Sequence, residues 1–179
     1  IYQPEPNGSI YFSYATAFEP NVQQVSLDNE SVLPESFKNL PVGESTDYEL
    51  GTKWDFFNER LSVSGALFWD EQKNPATEDA DDDLLYVLNG RERVIGIEVS
   101  AAGNITDDWQ VMASLTYNKG IVTEATPSNL VNNPILNDPK CTFSLWTTYR
   151  LPWNFEAGFG IDGVGARAGS ETPDPANNM

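Results

Sequence analysis

The chain has 179 residues, enough for one domain or for a slice of a larger one. Its 27 acidic and 10 basic residues leave a net charge of −17, a poor balance for nucleic acid, whose phosphates call for Lys and Arg. There is no His and a single Cys, Cys141, which removes imidazole bases, the common zinc sites and an internal disulfide, while 12% aromatic content argues against wholesale disorder.

The dominant pattern along the chain is alternation with a period of two, the mark of a strand with one apolar and one polar face. In residues 10–18, Ile10, Phe12, Tyr14, Thr16 and Phe18 share one face, against Tyr11, Ser13, Ala15 and Ala17. Residues 47–56 set Tyr48, Leu50, Thr52, Trp54 and Phe56 against Asp47, Glu49, Gly51, Lys53 and Asp55. The same reading predicts strands at 61–70, 94–101, 109–118, 141–150 and 155–163, with Leu67 and Trp69, Ile95 and Ile97, Leu115 and Tyr117, Phe143 and Leu145, and Phe159 and Ile161 on their apolar faces. That makes seven strands and no helix. No run of 18 apolar residues exists to form a transmembrane helix, but a transmembrane strand needs only about 9–11 alternating residues.

The connections alternate in length. Phe57–Arg60, Gly103–Asp108 and Leu151–Asn154 are short, whereas 19–45, 72–86 and 119–139 are long and polar. Trp54, Phe56, Phe57, Trp109, Tyr149, Trp153 and Phe155 lie beside the short turns, and Phe18, Tyr48, Trp69 and Tyr117 lie towards the long loops. Short turns at one rim, long loops at the other and two aromatic belts describe an antiparallel transmembrane β-barrel, with short periplasmic turns and long extracellular loops. Glu49, Lys53, Asp55, Asp70, Glu98, Gln110 and Glu156 on the other face suit a wide, wet lumen. Seven strands cannot close such a barrel, so the expectation is a fragment.

Several stretches then resemble the barrel of TonB-dependent siderophore receptors. Asn7–Pro20 is similar to that family's "S-x-Y-x-S-Y-x-x-x-F-x-P" strand, and Tyr48–Asp55 to its "E-x-G-x-K-W/Y" strand, followed by a turn and Arg60–Phe68. Gly96–Ser100 resembles the "G-x-E-x-x" strand, Pro139–Tyr149 the "P-x-H-x-x-x-L-W-x-x-Y" strand with Cys141 in the His position, and Gly158–Arg167 the "G-x-G-x-x-x-x-G-x-R" strand. The flavour is that of the catecholate receptors. The resemblance implies that residues 1–179 are about seven strands of a 22-stranded barrel whose plug domain and last strands are absent. It implies transport and not catalysis, a place in the bacterial outer membrane among lipid and lipopolysaccharide, a ferric siderophore as transported ligand with no other cofactor, and TonB as partner through the missing N-terminal plug.

An anionic ferric catecholate favours cationic and aromatic contacts. The candidates are Arg91, Arg93, Lys119 and Lys140 near the outer loops, with Tyr86, Tyr117 and Trp69 as vestibule aromatics. Each competes with a plainer role, the bases pairing with nearby acids. The acidic run Asp79–Asp83 fails as an EF-hand, because Leu84 and Gly90 stand where Gly and an acid are required. Three other readings stay open: a soluble all-β ligand- or carbohydrate-binding module, a passive porin, and an outer-membrane enzyme, the last weakened by the lack of His.

Overall fold

The computed structural model describes residues 1–19, 42–74, 76–78, 86–88, 90–125 and 131–169, with backbone alone at 76–78 and 86–88. The strands are β1 (Tyr2–Glu5), β2 (Gly8–Glu19), β3 (Gly43–Phe56), β4 (Leu61–Lys73), β5 (Ala76–Glu78), β6 (Tyr86–Leu88), β7 (Arg91–Asn104), β8 (Trp109–Glu124), β9 (Cys141–Leu151) and β10 (Phe155–Val164). Eight of them form one sheet in the order β1-β2-β3-β4-β7-β8-β9-β10, and β5 pairs with β6 as a separate hairpin. All neighbours run antiparallel.

The main sheet has one strand more than the alternation predicts. Tyr2–Glu5 is too short to show a period, and Pro4 lacks the N–H that a central strand would use. It is tolerated because β1 is an edge of the sheet as it stands. The segment 72–86 is likewise not all loop. β4 runs on to Lys73 and β5 and β6 form within the connection. Other strands also outlast their alternating cores, β3 starting at Gly43 and β8 ending at Glu124. Beyond the apolar band the two faces no longer differ, both polar at Glu44–Thr46 of β3 and both apolar at Ile121 and Val122 of β8, so the period vanishes from the sequence while the ladder of backbone bonds continues.

Register decides what the alternation does in three dimensions. Leu50 stands opposite Phe12 and Leu67, Leu67 opposite Ile97, Ile97 opposite Tyr117, and Leu115 opposite Val99 and Phe143. One continuous apolar face results, and among the described residues no second layer covers it. Phe12 is 63% exposed, Leu67 57% and Phe159 59%, and Ala66 and Val122 are the buried hydrophobics among the described residues. A water-soluble sheet would bury this face against another layer. Here the sheet is a single-layered wall.

At the long-loop end the apolar face finishes in packed aromatics, with Tyr48 5.1 Å from Tyr14 and 5.3 Å from Trp69 between ring centroids. At the other end Trp109 Nε1 donates to Thr147 Oγ1 at 2.8 Å. The short turns share that end: Pro6–Asn7, Phe57–Arg60, Ile105–Asp108 and Pro152–Asn154. Arg60 joins two of them, pairing with Asp107 and accepting from Asn104 N at its own carbonyl, 2.7 Å away. Gly103 has φ +136°, and a Cβ there would collide with the Arg60 carbonyl, so the close approach of these two turns requires glycine.

Candidate functional site

The polar face carries the chemistry that could meet a solute in a lumen. Tyr11 Oη donates to Glu49 Oε1 at 2.5 Å, and Lys53 Nζ lies 5.7 Å from the Tyr11 ring centroid. Asp47 stands opposite Asp70, and Glu98 opposite Ala66 and Thr116. Ser64 and Ser100 share a hydroxyl hydrogen bond of 2.7 Å. The acids outnumber the bases here, so this stretch of wall repels anions. Trp146 lies flat across the next strand, where a Cβ on Gly160 would come within 2.5 Å of its Cε3. The aromatic thus adds surface without standing out into the lumen.

Most of the residues predicted as ligand contacts stand on the opposite, apolar face. Trp69 stands opposite Tyr48 and Ile95, Lys119 opposite Ile95, and Tyr117 opposite Ile97. All share the parity of Leu67, Ile97 and Leu115, the apolar face. Arg93, opposite Glu71 and Ile121, is on that face one rung further out. Arg91 begins β7 beside a register shift and is engaged by acids: Nη1 is 3.0 Å from Glu71 Oε1 and Nε 3.6 Å from Glu124 Oε1. The plainer role, charge pairing, is thus the one Arg91 adopts. The physical reason is the strict period of two, since counting outward from Ile97 in steps of two reaches Ile95 and Arg93 on the same face. Tyr86 pairs with Glu78 in the β5–β6 hairpin, and its side chain lies outside the described residues, as do the acidic run 79–83 and segment 20–41.

Lys119 and Lys140 do come together. Between the Ile121–Pro134 bridge and the Lys140–Ala166 hydrogen bond, the chain leaves the ladder. It swings towards the polar face, where a Cβ on Gly120 would meet Ile135 and Asp138, and Asn118 Nδ2 donates to Asp138 Oδ1 at 2.6 Å. The departure leaves a cavity of about 370 Å³ in the wall, lined by Lys119, Lys140, Arg167 and Asp138. Arg167, at the end of the Gly158–Arg167 stretch, was not among the sequence candidates, and no periodic signal extends to it beyond β10.

Comparison with known proteins agrees with this architecture. Residues 1–179 match the family described as TonB dependent receptor-like, beta-barrel. A probable TonB-dependent receptor of Bordetella pertussis, BfrD, is 34% identical over 152 residues, covering 84% of this chain and 20% of that protein. A probable TonB-dependent siderophore receptor of Acinetobacter baumannii, PiuA, is 32% identical over 169 residues, covering 84% and 21%. Among solved structures, the ferric-catecholate import receptor Fiu of Escherichia coli superposes with a TM-score of 0.73 at 27% identity, over 93% of this chain and 24% of that one. The chain therefore spans about a fifth of the length of the curated relatives.

Proposed function

This chain belongs to the TonB-dependent receptor family, and on that premise we propose that it is a wall segment of an outer-membrane receptor that takes up a ferric siderophore with energy coupled through TonB. The observation that carries the reading is the uncovered apolar face of an eight-stranded sheet, bounded by aromatics at both ends. Such a face is stable against lipid and costly in water. It weighs against a soluble binding module. The short turns face the periplasm and the long connections face outward. PiuA's name includes siderophore receptor and Fiu's includes catecholate, which supports a ferric siderophore as cargo. The acid-rich polar face makes this stretch a poor anion clamp, so the ferric complex is held mainly by other parts of the receptor. The coupling to TonB is assigned to a plug domain, as the family resemblance implies.

The test is uptake of radiolabelled iron by a host lacking its own siderophore receptors and expressing the intact receptor. Ferric catecholates and hydroxamates are offered with and without functional TonB. The expected result is saturable uptake of at least one complex, abolished without TonB. Uptake indifferent to TonB would make the protein a passive pore.

A further inference from the structure

The polar face has low relief. Many of its side chains are small, as at Ser13, Ala66, Ser100 and Ser144. Three large ones lie down: Tyr11, Phe68 and Trp146 each cross a glycine directly opposite on the next strand, Gly51, Gly96 and Gly160, where a Cβ would collide with the ring. One segment breaks this relief. β8 and β9 stay in register up to Tyr117 opposite Cys141, and pairing resumes at Ile121 opposite Pro134. Between those points β8 has three residues, Asn118–Gly120, and the returning chain has six, Ile135–Lys140. The three surplus residues have no rung to occupy, so the chain bulges out of the ladder onto the polar face. It is tied there on both sides. Asp138 accepts from Asn118, Ile135 lies over Gly120, and Asn137 N donates to the Ala168 carbonyl at 3.0 Å. Gly120 and Val122, on the same face, are buried. Ile135 also bounds a space of about 220 Å³ with Val94 of β7, Asp70 of β4 and Asp47 of β3, so the bulge stands over this part of the wall as a ledge.

We propose that this ledge, Ile135–Asp138, sets the size limit of the cargo that passes this stretch of the lumen. The inference rests on the uptake reading above and adds to it a specificity element. A solute moving along the wall meets small side chains and flattened aromatics, and at the ledge it meets a layer of backbone with Ile135 towards β7, β4 and β3. The ledge yields little. Moving it breaks the Asn118–Asp138 and Asn137–Ala168 hydrogen bonds and lifts Ile135 off Gly120, and each loss costs free energy. Ile135 carries no charge with which to hold an ionic complex, so the discrimination is steric. A complex small enough to clear Ile135 passes, and the same complex with a bulky substituent is stopped.

The register supplies the test variant. Deleting Leu136–Asp138 removes the three surplus residues, so that Lys140, Pro139 and Ile135 fall opposite Asn118, Lys119 and Gly120 while Pro134 stays opposite Ile121. Heat-dependent gel migration reports folding, and Ile135→Gly, which trims the tip and keeps the backbone, replaces the deletion if that variant fails to fold. The intact receptor, in cells lacking other siderophore receptors, carries Asp70→Cys beneath the ledge and Cys141→Ser to remove the native thiol. A small methanethiosulfonate is expected to label the introduced thiol with or without the ledge. A bulky polyethylene-glycol maleimide should leave it unlabelled while the ledge is present and label it once the ledge is gone. In parallel, with Asp70 and Cys141 retained, iron uptake is compared for a ferric siderophore and for the same siderophore bearing a bulky conjugate. The wild type should import the parent complex alone, and the ledge-free receptor both. Labelling by the bulky reagent despite the ledge, its continued exclusion from a folded ledge-free variant, or an unchanged range of imported complexes would overturn the proposal. Import of neither complex by the wild type refutes the uptake reading alone, and the labelling contrast then still decides whether the ledge excludes by size.

Discussion

Two neighbouring substitutions on β8, Ala113→Arg and Ser114→Arg, differ by one residue and should differ by orders of magnitude in effect. Ala113 stands opposite Ala101 and Leu145 on the apolar face, and Ser114 opposite Ser100 and Ser144 on the polar face. The eight steps from Trp109 to Tyr117 span about 27 Å along the strand at ~3.4 Å each. A tilt of about 40° shortens this to roughly 21 Å across the membrane, close to the ~25 Å apolar band of such barrels. Ala113 is the midpoint, where Arg on a lipid face costs about 2–4 kcal/mol. That is about a 30- to 700-fold loss in the folding equilibrium. Ser114→Arg keeps its charge on the wet side and should cost under ~1 kcal/mol, little more than a lost neutral hydrogen bond. The assay is urea unfolding of the intact receptor in phospholipid vesicles, followed by tryptophan fluorescence. Equal losses at both positions would refute the lipid–lumen division, and a larger loss at Ser114 would invert the faces.

Other consequences follow from contacts already described. Arg91→Ala leaves Glu71, whose side chain is only 14% exposed, without its guanidinium, so stability should fall by about 1–3 kcal/mol and Glu71→Gln should recover part of it in a double-mutant cycle. Asp107→Asn should change stability by less than about 1 kcal/mol, because the Arg60–Asp107 pair is exposed, Asp107 at 88%; a larger loss in the same urea titration would show that the pair does more than join two turns. Gly160→Val should displace the Trp146 indole and destabilise by roughly 1–3 kcal/mol, with relief in Trp146→Ala/Gly160→Val and a shift in tryptophan emission as the readout. Gly103→Ala meets both an unfavourable φ of +136° and the Arg60 carbonyl, so about 1–3 kcal/mol of strain is expected in unfolding titrations, against little effect for Gly65→Ala, whose nearest neighbour would be the Glu98 carbonyl at 3.5 Å.

The sequence by itself determined seven of the wall's eight strands, their two faces and the sorting of short turns from long connections. These are local matters: side chains alternate strictly along an extended backbone, so Leu67, Ile97 and Leu115 announce one face, and Phe57–Arg60 leaves room only for a turn. The same period carried past the apolar core puts Arg93 on the face of Ile95, and Lys119 on the face of Tyr117. What only the tertiary structure decided depends on partners distant in sequence. Tyr2–Glu5 becomes a strand because β2 offers it a ladder. Arg91 finds Glu71 because β4 pairs with β7 across the β5–β6 hairpin. Lys119, Lys140 and Arg167 meet because the chain between Pro134 and Lys140 swings out of the ladder towards the polar face. No period encodes such a detour. It is set by which backbone groups find partners across β8 and the end of β10, and that competition exists only once the sheet has formed.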